Sequence, residues 1–365
     1  MGKVSDYAFI NGKLRARIGL MKYSSYVDEM IKAPSMVELI GVLRNTRHKG
    51  LADAYDMTGD LQMVELALLE EEIDTHHEIA AYLKGRKGEF VDVVLEKVEL
   101  DNLKNALRLW FSNVVREHQI SYRSGYLYKK RIVHEINYDR IINASDYKGV
   151  LDAVSETPYI DVMKSFSFDD IAEHGLFDLE IALDHKWFKR VFASMSHLST
   201  EDRLVANRIY MVDCDLKNIL LFIRYYYYYV NVSIAELRNV LIPFGYVYSE
   251  MKDKGVLDKP NPLEAVRSIV KRKYPTLLES LADVRKNDDE LTSRDENARH
   301  IIQMEDYLNI TRRKEFSRIL TGNPFTIGVV LAYLFIYKNE NALIRAILSA
   351  KYYGWNEKRI REELV

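Results

Sequence analysis

"CDLKNILLFIRYYYYYVNV", residues 214–232, is the second half of a helix on which the reading of the whole chain turns. Leu204, Ile209, Val212, Leu216, Ile219, Leu220 and Ile223 recur mainly at steps of three to five, the stripe of an α-helix over 201–230. The five tyrosines that close it, Tyr225, Tyr226, Tyr227, Tyr228 and Tyr229, run right round that helix, since the first and last lie roughly 400° apart. A helix with one wet face has no use for such a girdle. The run therefore predicts packing specific to this helix end, against a neighbouring repeat or at a partner-facing mouth. There a tyrosine buries its ring and keeps its hydroxyl wet.

Working outward, the stretch has counterparts. "DNLKNAL" at 101–107, "CDLKNIL" at 214–220 and "ALIRAIL" at 342–348 align on Leu103, Leu216 and Ile344, 113 and 128 residues apart. Before them, "VELAL" at 64–68, "LEIAL" at 179–183 and "MEDYL" at 304–308 each place a glutamate second, at Glu65, Glu180 and Glu305. A weaker set, "LRNT" (43–46), "VSET" (154–157) and "KRKY" (271–274), keeps the same order. Three markers in constant order predict a triplicated helical unit, far longer than solenoid repeats of about 20–50 residues. The predicted copies are 1–124 (with the N-terminal helix), 125–237 and 238–365, each with a long helix: 89–118, 201–230 and 324–353. Ser199 with Asp202, and "SIAE" at 233–236, read as N-terminal caps. Asn323-Pro324 reads as the start of the last long helix and Gly354 as its stop. No segment shows strand alternation between hairpin turns. The fold class is all-α, and three such copies close about a pseudo-threefold axis as a funnel with an axial cavity, or string out as an open array.

Composition removes whole classes of function. A net charge of −2, from 52 basic against 54 acidic residues, does not suit a general nucleic-acid binder. "KKR" (129–131), "KRK" (271–273) and "RRK" (312–314) are short, acid-flanked surface charge. The longest apolar run, "IGVVLAYLFIY" at 327–337, is half of the ~20 residues a spanning helix needs. The N-terminus lacks a signal peptide's apolar core and cleavage site. A single cysteine, Cys214, excludes an internal disulfide, fits a reducing compartment and reads as a small buried residue. No G-x-x-x-x-G-K-[ST] or G-x-G-x-x-G occurs, so no direct nucleotide binding is expected. "EEEIDTHHEI" at 70–79 opens an H-E-x-x-H at His77, but Ala81 stands where the second histidine belongs. No catalytic residue, metal or cofactor is predicted.

One constellation suggests architecture rather than chemistry. A basic residue follows each aligned Leu or Ile, namely Lys104, Lys217 and Arg345, 39, 37 and 40 residues after the marker glutamates. Antiparallel helices would bring these together, predicting three equivalent ion pairs: Glu65–Lys104, Glu180–Lys217 and Glu305–Arg345.

The tripled "NLK", "DLK", "LIR" at this spacing, with the opener "YAFINGKLRARIGLM" (7–21), resembles the C subunit of the prokaryotic V/A-type ATPase or ATP synthase. In eukaryotes the relative is the d subunit. Two departures stand out: Val212 where the other copies have Glu99 and Glu340, and Leu343 in place of Asn102 and Asp215. The resemblance implies a non-catalytic rotor component on the cytoplasmic face of the membrane. It would sit on the membrane rotor ring, take the tip of the central shaft, and pass torque between the two for ion transport and ATP synthesis. Without the resemblance, a helical-repeat scaffold binding other proteins fits the same pattern. A helical enzyme built on Glu71 to Glu78 is the third possibility.

Overall fold

The computed structural model describes residues 3–23, 26–116, 123–227, 233–277 and 307–364. Among these residues every regular element is helical. The chain divides into two packing units, 199–328, and 1–198 together with 329–365.

In the first unit, α1 (Lys3–Tyr23), α2 (Tyr26–Lys32), α3 (Met36–Leu43) and α4 (Lys49–Thr58) lead into α5 (Leu61–Leu83) and α6 (Gly85–Val114). Local chemistry sets these ends. Gly59 in the left-handed region (φ 65°) stops α4, and Asp60 caps α5 by accepting the Gln62 N–H. Between α5 and α6 the chain reverses within Lys84 (φ 53°) and Gly85 (φ 51°). Gly88 then lets the helices approach, since a Cβ there would lie 2.8 Å from the Ala80 carbonyl oxygen.

At 30 residues, about 45 Å, α6 matches the long helix expected at 89–118. It is buried almost all round, through Phe90, Leu95, Leu100, Leu103, Leu107 and Trp110, and α5, α7 (Tyr138–Ile142) and α11 (Phe177–Met195) pack against it. The short helices α8 (Tyr147–Ala153), α9 (Ile160–Met163) and α10 (Phe168–His174) lie between α7 and α11 in the chain.

The end of the chain joins the same unit. Ile344, Ile347 and Leu348 of the last long helix share a core with Leu39, Leu43, Leu51, Val64 and Leu68. Ile360 of the terminal helix joins that core, and Arg361 meets Asp28 of α2 at 2.6 Å.

The second unit holds α12 (Thr200–Tyr227), α13 (Ile234–Val240), α14 (Tyr246–Asp253), α15 (Pro262–Lys273) and α16 (307–320). Its core gathers Leu216, Ile219, Phe222 and Ile223 of α12 around Val247, Met251, Val266, Ile269 and Val270. The expected caps form. Ser199 Oγ accepts the Asp202 N–H at 3.3 Å, and Ser233 with Glu236 makes a reciprocal capping box.

The last long helix, α17 (Gly328–Tyr352), begins four residues later than Pro324 suggested, and α18 (Glu357–Leu364) follows it. Asn323 spends its carbonyl on the Phe325 N–H in a turn. The Ile327 N–H, just before α17, goes to Asp202 at 2.8 Å, and the first amide of the helix, that of Gly328, goes to Thr326 Oγ1. Gly354 (φ 75°) ends the helix where expected.

Candidate functional site

The sequence pointed to Glu65, Glu180 and Glu305 with Lys104, Lys217 and Arg345; the tertiary contacts choose other partners. Lys104, buried on α6, meets Asp184 of α11 at 2.6 Å and not Glu65, whose carboxylate accepts from Ser349. Glu180 is taken bidentately by Arg108, one helical turn beyond Lys104. Lys217 pairs along its own helix with Asp213 at 2.8 Å. Glu305 lies outside the described residues, and Arg345 is half-buried on α17. Spacing fixed how far along two antiparallel helices these residues lie. Which side of α6 faces α5 and which faces α11 is a matter of rotation about the axis, and the spacing is silent on it.

Asp184 is the centre of that cluster, with Lys97 at 3.0 Å on its other side. Burial works against its charge, yet the two ammoniums hold its carboxyl below the usual carboxylate range. Burial, with Lys97 beside it, pulls Lys104 down.

A second set of groups lies on the long helices, among them Glu99, Asp215 and Glu340, which the sequence marked only as aligned positions and gave no partners. Glu99 of α6 is fully buried and accepts four hydrogen bonds. Two come from the Val133 and His134 backbone N–H groups at 2.7 and 2.6 Å, one from His134 Nδ1 at 2.7 Å, and one from the Tyr159 hydroxyl at 3.0 Å. One turn before it, buried Glu96 receives Arg190 bidentately at 2.7 and 2.5 Å.

On α12 the position matching Glu99 is Val212, and the carboxylate sits one turn later at Asp215. Buried like Glu99, it accepts the Val247 N–H and the Tyr274 hydroxyl, each at 2.7 Å. Burial raises the Asp215 carboxyl, and burial beside Asp215 raises the Tyr274 phenol in turn. Gly245 (φ 99°) leaves room for this carboxylate, because a Cβ there would lie 2.5 Å from Asp215 Oδ1.

On α17 the matching residue is Glu340, and it accepts from the Tyr26 hydroxyl and from Arg47. The signal that could have exposed Glu99 and Asp215 is a carboxylate on a stripe otherwise apolar, with a tyrosine some 60 residues downstream. Without a fold, nothing singles those out among 25 tyrosines.

Beside Glu340 lies a cavity of about 1240 Å³, walled by α1, α5 and α17 with the segment around Arg47. Its carboxylates, Glu29, Glu71, Asp74, Glu78 and Glu340, outnumber its guanidiniums, Arg17 and Arg47. Arg47 lies over the Tyr337 ring, whose phenol is pushed up to about 12, chiefly by burial.

The acidic-histidine stretch is spent on structure. His48 Nδ1 and Glu71 lie 2.7 Å apart, His76 Nδ1 donates to the Glu72 carbonyl, His77 Nε2 to the Ile132 carbonyl, and Glu78 holds Lys13 and Arg17. Basic triplets are likewise paired, Lys129 with Asp139, Arg272 with Glu250 and Arg312 with Asp213. Cys214 is buried, which pushes its thiol up and away from reactivity. Of the tyrosine run, Tyr225 packs half-buried against the second unit's core, while the side chains of Tyr226, Tyr227, Tyr228 and Tyr229 lie outside the described residues. No helix among the described residues is long and apolar enough to cross a membrane.

Comparison with known proteins gives a consistent result. The model of the ATP synthase (C/AC39) subunit family matches residues 10–363. The A-type ATP synthase C subunit of Methanothermobacter thermautotrophicus is 22% identical over 360 residues, covering 98% of this chain and 87% of that protein. The C subunits of the A-type ATP synthases of Methanosphaera stadtmanae and Methanobrevibacter smithii are 21% and 22% identical, over 90% and 99% of this chain and 79% and 88% of their own lengths.

Proposed function

The chain belongs to the ATP synthase (C/AC39) subunit family, that of the C subunit of the rotary A-type ATP synthase, and from this premise we propose that it is the central-stalk coupling subunit. In this role it catalyses nothing itself. It links the central shaft to the membrane rotor ring and transmits torque between them, as a peripheral protein on the cytoplasmic face. The family match across nearly the whole chain is the observation that carries the proposal.

Packing supports it. A torque-bearing joint has to resist shear, and α6 is enclosed along its length by other helices, with buried carboxylates tied to several donors apiece. Three tandem copies, 1–124, 125–237 and 238–365, arranged as a funnel about a pseudo-threefold axis, are part of the same proposal. Its support is that α17, from the third copy, packs onto α3, α4 and α5, from the first. An open array would keep those copies apart. Docking onto polar loops of the ring then accounts for membrane association by a chain whose described helices cannot span a bilayer.

The test is recovery of the tagged full-length chain from detergent-solubilised membranes. The coupling role expects rotor-ring and shaft subunits to come with it. Recovery of neither would overturn the role and favour a scaffold with no motor connection.

A further inference from the structure

Each of the three long helices gives a carboxylate to a tyrosine hydroxyl. In two of them the tyrosine lies 60 and 59 residues downstream, Tyr159 for Glu99 and Tyr274 for Asp215. For Glu340 the hydroxyl comes instead from Tyr26 of α2. Tyr159 lies between α8 and α9 and Tyr274 between α15 and the 3-10 turn Pro275–Leu277, comparable places in the chain, whereas Tyr26 opens α2. In the repeat alignment the position of Tyr159 falls on His48, and Tyr26 reaches over it, its hydroxyl 3.4 Å from His48 Nε2. The third long helix thus makes the same carboxylate–hydroxyl contact through a tyrosine from a different place in the chain.

The third contact differs from the other two in one respect. Glu99 and Asp215 are sealed, at 0% and 1% exposure, whereas the Glu340 side chain is 11% exposed and lines the 1240 Å³ cavity with Tyr26 and Arg47. We propose that Tyr26–Glu340, braced by Arg47, is a closing latch that ties α17 to α2 and opens from the cavity, while the Glu99 and Asp215 contacts stay shut. Opening it frees one polar tie of α17 to α2 and leaves α17 and α18 held by the apolar core around Ile344, Ile347 and Ile360, by Lys351 on the Ala33 carbonyl and by surface contacts such as Arg361–Asp28. This rests on the contacts above and not on the coupling role, so failure of the latch and failure of that role are separable.

Amide hydrogen exchange on the full-length chain tests it. Losing a hydrogen bond to a charged group changes a local opening equilibrium by about ten- to hundredfold. Tyr26→Phe is expected to speed exchange in α17 and α18 by about that factor and to leave α6 unchanged, with Tyr159→Phe doing the reverse. A double variant with Glu340→Gln should exchange no faster than the faster single, because one latch is lost once. Should that variant fold poorly, the unmodified protein supplies a second arm. Raising salt to about 1 M, where the screening length falls to about 3 Å, should loosen α17 through Arg47–Glu340 and spare the sealed α6 contact. Exchange in α17 unaffected by Tyr26→Phe and by salt, or loosening spread evenly over both units, would overturn the proposal.

Discussion

Glu99 offers the sharpest quantitative test, because its donors are all identified and the molecule carries its own separate probes. Truncation in Glu99→Ala strands the Val133 and His134 backbone N–H groups and the Tyr159 hydroxyl, while the fourth donor, the His134 ring, is 23% exposed and can turn its Nδ1 to water. At about 1–3 kcal/mol for each buried unsatisfied donor, the loss is at least about 3 kcal/mol. Tyr159→Phe removes one bond to a buried carboxylate and should cost about 1.5–3 kcal/mol. With a urea slope of about 3 kcal/mol per molar, the two variants should lower the unfolding midpoint by at least about 1 M and by about 0.5–1 M. Trp110, Trp187 and Trp355 all belong to the first unit, so tryptophan fluorescence follows that unit. Buried Cys214 belongs to the second, and its labelling by a thiol reagent follows the other. Both variants should move the fluorescence transition and leave Cys214 labelling unchanged. A Tyr159→Phe midpoint equal to wild type, or Cys214 exposed in parallel with the tryptophans, would refute the local account.

Three further outcomes follow from the same geometry. Gly245→Ala places a Cβ 2.5 Å from Asp215 Oδ1 at a φ of 99°, so it should cost on the order of 1–3 kcal/mol and speed Cys214 labelling by about tenfold or more, without shifting the tryptophan transition. Asp184→Ala leaves Lys97 and Lys104 without their shared carboxylate and should cost about 3–5 kcal/mol, whereas Lys104→Met, which leaves Asp184 with Lys97, should cost far less; equal midpoints for the two in urea would contradict this. His76 is fully buried, and burial depresses its folded-state pKa below the ordinary 6.5, so it folds neutral. The stability it contributes is therefore present above about pH 6.5 and lost as pH falls through the lower folded value. The fluorescence-detected midpoint should drop between about pH 7 and 5, and His76→Gln should flatten that drop.

The sequence alone determined this protein's helices, their long members and the family. Periodic apolar stripes and capping residues act over a few neighbours along the chain, which is why α6, α12 and the caps at Ser199 and Ser233 were legible. Asn323-Pro324 misled because Asn323 closes a local turn on Phe325, while Asp202, distant in sequence, takes the Ile327 N–H just before the helix. What only the tertiary structure decided is which polar side chains meet. Lys104 faces Asp184, Glu180 faces Arg108, and on α12, where Val212 aligns with Glu99, the buried carboxylate stands a turn later at Asp215, opposite Tyr274. The reason is geometrical. Periodicity fixes position along a helix, while the partner across an interface depends on rotation about the axis and on which neighbour stands there. Both are set by how apolar faces close over one another, and a carboxylate that would be costly to bury alone becomes tolerable only once that closure brings its donors.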